Sequence, residues 1–321
     1  MRSFAIAVAA LLVFAAPQTG AQEYPSKPVR LVVPYATGGT TDVLARLLSP
    51  RLTEAWGQSV VVENRAGANG NVGSDMVAKS PADGYTLLVG TSGSNAVNPS
   101  LYKQMPFDAR RDLIYIAPIA STANVLLVNA TSPHRSLKDL LAAAKNSPGK
   151  ISYGSSGVGS VLHLCGVLVA QKAGVDLLHI AYKGTGPSLT DLLGGQIDSV
   201  FSNLPAVVPQ IKSGKMRALA VTSAERDASA PDVPTMIEAG IPGYALTSWF
   251  GIFAPAKTPR AVVLKVNAEV SRLIQLPEVR ERLLGLGAVP TPKGADDANQ
   301  FYHDELVRWA QVVKASGATV D

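Results

Sequence analysis

Val29-Arg30-Leu31-Val32-Val33-Pro34-Tyr35-Ala36-Thr37-Gly38-Gly39-Thr40-Thr41-Asp42 is the stretch on which the fold turns. Its first five residues are rich in branched aliphatics and read as a buried strand. Two glycines then let the chain turn tightly. From 42 to 56, Val43, Leu44, Leu47, Leu48 and Leu52 recur at helical spacing. A strand, a glycine turn and a helix form the half-unit of a parallel sheet covered by helices. Such a helix presents unpaired backbone N–H groups at its first turn. With the helix dipole, they favour an anion by about 0.3–1 kcal/mol. The plainer alternative is a tight turn with Thr41 or Asp42 as N-cap.

The same alternation continues outward. Strands are expected at 60–63 and 85–89, with a loop at 67–73 and a helix running to about residue 80. A second series begins after about residue 123. It has strands at 125–128, 151–153, 177–181, 198–201 and 217–222, and helices at 137–145, 161–173, 187–193 and 204–212. Residues 249–254 then read as a returning strand, followed by helices at 259–274, 277–286 and 295–316. A chain that ends in helices without a new strand series suggests a return onto the first lobe. The crossovers are placed near 120–124 and 245–248.

Three more glycine-rich turns separate a strand from the following helix. They are Gly67-Ala68-Asn69-Gly70-Asn71-Val72-Gly73, Gly154-Ser155-Ser156-Gly157-Val158-Gly159-Ser160 and Tyr182-Lys183-Gly184-Thr185-Gly186-Pro187. In the last, Pro187 suits the first helical position. One such turn says little. Four of them, two in each half, point to a polar cleft built from backbone at the carboxyl ends of the strands, where open α/β sheets bind ligands.

Other chemistries find less support. None of the turns has the phosphate-loop pattern, Leu162 stands where a dinucleotide fingerprint wants Gly or Ala, and no Gly-x-Ser-x-Gly elbow occurs. His134, His163, His179 and His303 lie far apart along the chain, with no metal-ligand spacing. His163 is the one worth watching, with a structural or capping role ahead of a catalytic one. Lys183 either pairs with an anion or is a solvated loop lysine. Trp249 and Phe250 read as core, with an aromatic wall over a ligand as the second reading. Cys165 is the only cysteine, which excludes an internal disulfide. Lys and Arg are scattered, so the net charge of +5 gives no nucleic-acid signature, although a mild positive field suits capture of anions.

The first residues read as an export signal. Arg2 is followed by an apolar run at 4–16, Pro17, and small residues ending at Ala21. The run is shorter than the about 20 residues needed to cross a bilayer. No cysteine follows it to carry a lipid. With 47% hydrophobic and 17% charged residues, the remainder is a folded chain with a large core, long enough for two domains.

The sequence resembles the substrate-binding proteins of tripartite tricarboxylate transporters, the Bug or TctC-type family. The resemblance runs from about Tyr24 to Val313. It is carried by the opening Pro34–Asp42 turn and by Glu63-Asn64-Arg65-Ala66-Gly67-Ala68, Pro81-Ala82-Asp83-Gly84-Tyr85-Thr86 and Asn98-Pro99-Ser100-Leu101-Tyr102. Tyr153-Gly154-Ser155-Ser156-Gly157, Tyr182-Lys183-Gly184, Asp191-Leu192-Leu193-Gly194-Gly195-Gln196-Ile197-Asp198 and Pro231-Asp232-Val233-Pro234-Thr235 add to it. The resemblance implies an α/β, two-lobe, type II periplasmic-binding-protein (Venus-flytrap) fold. Residues 22–122 with 247–321 would form the first lobe and 123–246 the second, after a signal peptide at 1–21. It implies a periplasmic, non-catalytic protein without cofactor or metal, sufficient as a monomer. Such a protein takes a small organic carboxylate to integral-membrane transporter subunits. The expected ligand contacts are Tyr35, Thr37, Gly38 and Gly39 on one jaw and Ser155, Ser156, Gly159 and Ser160 on the other. Tyr182, Lys183, Gly184 and Thr185 are further members. Thr37, where the family more often has Pro or Ala, and Gly70-Asn71, where it commonly has a Gly-Gly pair, lie at or beside the pocket and bear on ligand identity. Two alternatives remain open: a sensor read by a signalling kinase, and a secreted hydrolase or isomerase using Ser156 or Ser160 with His163.

Overall fold

The computed structural model describes residues 24–317. The expected export signal at 1–21 lies outside the described residues. β1 (Val29–Val33), β2 (Val60–Asn64) and β3 (Thr86–Thr91) form a parallel trio, with α1 (Thr40–Trp56) and α2 (Asn71–Ala78) as their connections. β5 (Ser152–Ser155), β6 (Leu178–Ala181) and β7 (Ser199–Asn203) form a second parallel trio. Their connections are α5 (Val161–Ala173) and α6 (Thr185–Leu193). These trios are the cores of two lobes.

Two strands join them. β4 (Leu113–Asn129) and β9 (Thr247–Pro255) run antiparallel from Leu113↔Pro255 to Ala123↔Thr247. β9 also pairs with β3. From Asn124 onward β4 leaves β9 and pairs with β7 and with β8 (Met216–Val221). At ~3.3 Å per residue, a strand of 17 residues spans roughly 55 Å, enough to serve both lobes without a break. α4 (Leu137–Asn146) precedes β5, and α7 (Leu204–Lys212) links β7 to β8. α8 (Arg260–Leu273), α9 (Pro277–Gly285), β10 (Ala288–Pro290) and α10 (Ala295–Ser316) close the described chain, after the short α3 (Asn98–Leu101) early in the first lobe.

Several expectations are corrected. β4 begins at Leu113 rather than 125, because the apolar run 113–120 lacks alternation and contains Pro118. The strand tolerates Pro118 at a register shift between Pro118 and Ala120. β10 is a strand among the terminal helices, pairing with β4 at Ala120–Thr122. α1 starts at Thr40 with Gly39 as N-cap, so neither Thr41 nor Asp42 caps it. Asp42 instead reaches back to the turn from inside the helix. Pro187 is the third residue of α6, since Thr185 and Gly186 already have helical geometry.

The core is continuous across the lobes. One buried cluster joins Val32, Leu88, Tyr115 and Phe253 to Leu126, Tyr153, Leu162 and Phe201. α10, ~33 Å long at 1.5 Å per residue, packs on β4 and also reaches α5. There Gln171 Nε2 donates to the Ser316 carbonyl at 2.6 Å. At its middle, Glu305 accepts from the indole N–H of Trp249 (2.7 Å) and of Trp309 (2.9 Å).

Candidate ligand-binding cavity

The carboxyl ends of β1, β3, β5, β6 and β7 face one another where the lobes meet, and a cavity of about 30 Å3 lies between them. That is room for roughly two water molecules, so a larger guest must part the jaws, which meet beside it at Ala36 and Lys183.

The first lobe supplies Tyr35, Gly39, Thr40 and Thr41 from the β1–α1 turn and Thr91, Ser92 and Gly93 from the end of β3. Gly38 takes φ +83°, a left-handed conformation that an ordinary side chain resists, and this reverses the chain into α1. Asp42 then locks the turn. Its Oδ2 accepts from Gly38 N at 3.1 Å, and its Oδ1 accepts from Arg46 Nε at 3.0 Å and Asn64 Nδ2 at 3.1 Å. Burial alone would raise this carboxyl's pKa; the Arg46, Gly38 and Asn64 donors hold it below the usual range. α1 has no side-chain cap, so the N–H groups of Thr40 and Thr41 stay free of intrahelical partners at the cavity. Thr40 Oγ1 is buried without a hydrogen-bond partner among the described residues.

Tyr35 ties the wall together. Its hydroxyl donates to Asn69 O at 3.2 Å and lies 3.5 Å from Thr91 Oγ1. Burial pushes its pKa up to about 12, so it remains a neutral phenol. Asn69 in turn donates to Asn98 Oδ1 at 2.7 Å. The glycine turn at 67–73 therefore backs the wall and does not line the cavity.

The second lobe supplies Ser156, Ser160, Val161, Leu162, Thr185 and Asn203; Ser248 and Phe250 of β9 complete the lining. The N-termini of α5, α6 and α7 all begin here. α6 and α7 lack side-chain caps, and at α5 Ser160 Oγ accepts from His163 N at 3.0 Å. With α1, four helix N-termini converge on one space, and among the described residues no Lys, Arg, His, Asp or Glu lines it. Each dipole favours negative charge, by up to ~2 kcal/mol where water is excluded. The arrangement can hold an anion with neutral donors alone.

Of the twelve residues singled out from the sequence, Tyr35, Gly39, Ser156, Ser160 and Thr185 line the cavity. Thr37, Gly38, Lys183 and Gly184 stand at the seam where the jaws touch. There Ala36 N donates to Lys183 O at 2.9 Å, and a Cβ on Gly184 would come within 2.9 Å of Ala36 N. Ser155, Gly159 and Tyr182 lie behind the lining. Tyr182 donates to Asp191 Oδ2 at 2.7 Å, and Gly159 N donates to His163 Nδ1 at 3.2 Å. Sequence reasoning missed Thr91, Ser92 and Gly93, although Thr-Ser-Gly after a strand resembles the other glycine turns. Asn203, Ser248 and Val161 carried no comparable signal.

The histidines bring a correction. His163 and His179, distant in sequence, stack with ring centroids 4.2 Å apart because α5 lies over β5 and β6. His179 Nε2 lies 2.7 Å from Ser155 Oγ. Burial lowers His163 to about 4; burial and then the neighbouring His163 lower His179 to about 3. Among the hydrogen bonds of the described residues, neither ring reaches Ser156 or Ser160. The pair supports the 155–160 loop from behind. No group of three or more His, Cys, Asp or Glu among the described residues is placed to hold a metal ion.

The tripartite tricarboxylate transporter family receptor (TctC) pattern matches residues 44–318. The chain belongs to that receptor family. Among solved structures, it superposes on R. palustris Rpa4515 with adipate at a TM-score of 0.89, 39% identical, covering 93% of this chain and 100% of the other. The periplasmic binding protein BugD gives 0.88 and 36%, covering 92% and 99%. MatC (Rpa3494) from Rhodopseudomonas palustris, with bound malate, gives 0.85 and 33%, covering 90% and 100%. The receptor thus has the two-lobe fold of periplasmic solute-binding proteins, with its cavity at the seam. No helix among its described residues is long and apolar enough to cross a membrane.

Proposed function

We propose that this receptor captures a small organic carboxylate in the seam cavity and, closed upon it, docks on the integral-membrane subunits of a tripartite tricarboxylate-type transporter. The observation that carries the reading is the convergence of four helix N-termini and a ring of hydroxyls on a space that no ionised side chain among the described residues lines. Similarity to chains solved with adipate and malate supports a carboxylate as the guest. Its contacts would be the N–H groups of Thr40, Thr41, Val161, Leu162 and Thr185 and the hydroxyls of Thr40, Thr91, Ser92, Ser156 and Ser160. Tyr35 and Gly39 would shape the first wall. Thr37, Gly38, Lys183 and Gly184 would act by closing the jaws, and Ser155, Gly159 and Tyr182 by holding the loops.

The lobes divide at Ala123–Asn124 and just before Thr247, where β4 changes partners and β9 begins. The protein acts in the periplasm as a monomer without catalysis, exported by the signal at its N-terminus. Ligand touching both lobes favours the closed form by as much as its affinity for that form exceeds its affinity for the open one. The test is thermal unfolding in the presence of di- and tricarboxylates, aromatic acids and acidic amino acids. A cognate acid at 100 times its Kd adds about 2.7 kcal/mol and raises the Tm. A panel in which no acid raises the Tm overturns the reading.

A further inference from the structure

We propose that Asn124 is the pin of the hinge, a residue that touches no ligand yet sets the angle between the lobes and the affinity of the cavity. The proposal rests on the receptor reading for its ligand and on independent geometry for its mechanism. Asn124 is fully buried at the point where β4 passes from one lobe to the other. Its amide makes four hydrogen bonds. Nδ2 donates to Thr222 Oγ1 and to the Leu246 carbonyl, both at 3.0 Å. Oδ1 accepts from Asn203 Nδ2 at 2.6 Å and from Ser248 Oγ at 2.7 Å. Its own N–H donates to Thr222 Oγ1 at 3.0 Å, and its carbonyl accepts from Thr222 N at 2.8 Å.

These partners fall into two sets. Thr222 and Leu246 flank the segment that returns the chain to the first lobe. Asn203 and Ser248 line the cavity. One side chain therefore fastens both chain crossings and orients two residues of the ligand chamber. A buried amide with all four of its hydrogen-bonding positions filled holds one geometry, because a different angle leaves a donor or acceptor unpaired. Rotation of the lobes strains the same bonds that aim Asn203 and Ser248, so hinge angle and cavity shape change together.

The experiment places fluorescent labels through Val61→Cys and Leu178→Cys, exposed positions on β2 and β6, the outermost strands of the two lobes. Interlobe distance is then read with and without adipate and malate, alongside each Kd. Asn124→Ala broadens the apo distance distribution and raises Kd ten- to a hundred-fold, chiefly through faster dissociation. Thr222→Val, isosteric and outside the cavity lining, does the same by three- to ten-fold and carries the test if Asn124→Ala does not fold. Folded variants with an unchanged distribution, or with a Kd within twofold of the parent and only a lower Tm, overturn the pin and leave Asn124 a structural residue. If the parent binds neither acid, the ligand reading has failed for them, and the apo distribution alone decides on the pin.

Discussion

Glu305 shows how much one side chain can hold. It is 7% exposed, accepts from two buried indoles and is flanked by Arg308 Nε at 2.7 Å. It thereby ties β9, a strand that lines the cavity, to the last helix. Glu305→Ala leaves two buried N–H donors unpaired and should cost about 3–5 kcal/mol in urea denaturation. His163 gives a pH signature at the same scale. Burial holds it neutral down to about 4, against 6.5 for the free side chain. Between those values the unfolded chain binds a proton that the folded chain does not. The contribution is complete above pH 6.5 and is lost as pH falls to 4, by about 3 kcal/mol. In unfolding curves taken across this window, His163→Gln should flatten the acid limb by that amount. Thr40→Val belongs here as well. It removes a buried hydroxyl that has no partner among the described residues, so apo stability should hold or rise. If that hydroxyl meets a carboxylate, calorimetric affinity falls about ten- to a hundred-fold, the equivalent of about 1.5–3 kcal/mol for a charge-assisted bond.

At the scale of elements, chain-local physics explains why so much was legible. The expected helices at 161–173, 204–212 and 295–316 match α5, α7 and α10 end to end. Each has boundary signals of its own: Ser160 as cap and Gly174 as left-handed stop for α5, Pro205 in the first turn of α7, Gly317 after α10. The first half of β4 escapes the sequence because it is buried against β9, far along the chain, and no alternation betrays such a strand. The turn at Gly93–Val97 is a π-helical segment running into α3, a local geometry with no periodic signature. It carries Asn95, whose Oδ1 accepts from Thr91 N at 3.2 Å and so fixes the end of β3 at the cavity.

For the whole molecule, the decisive feature is the seam. Gly186 lies in the first turn of α6 with ordinary helical geometry, and a Cβ there would overlap the Thr37 carbonyl of the other lobe. With the lobes parted, Gly186→Ala costs nothing, since alanine suits a helix; with the lobes as they stand here it clashes. It should keep the lobes apart in the presence of ligand and weaken binding at least ten-fold without touching the guest. Small-angle X-ray scattering with saturating acid checks this: a variant as compact as the parent would show that closure does not use this contact.

The amino-acid sequence alone set most of the alternation of strands and helices, the glycine turns and, in the first wall of the cavity, the places of Tyr35 and Gly39. All of these follow from propensity, periodicity and capping within a few residues of each position. The tertiary structure alone decided that Asn203 and Ser248 share that cavity with Thr40. It alone also stacked His163 on His179 and placed Asn124 where two crossings meet. Those pairings are set by the common packing of β4 and β9 across both lobes, which no window along the chain contains.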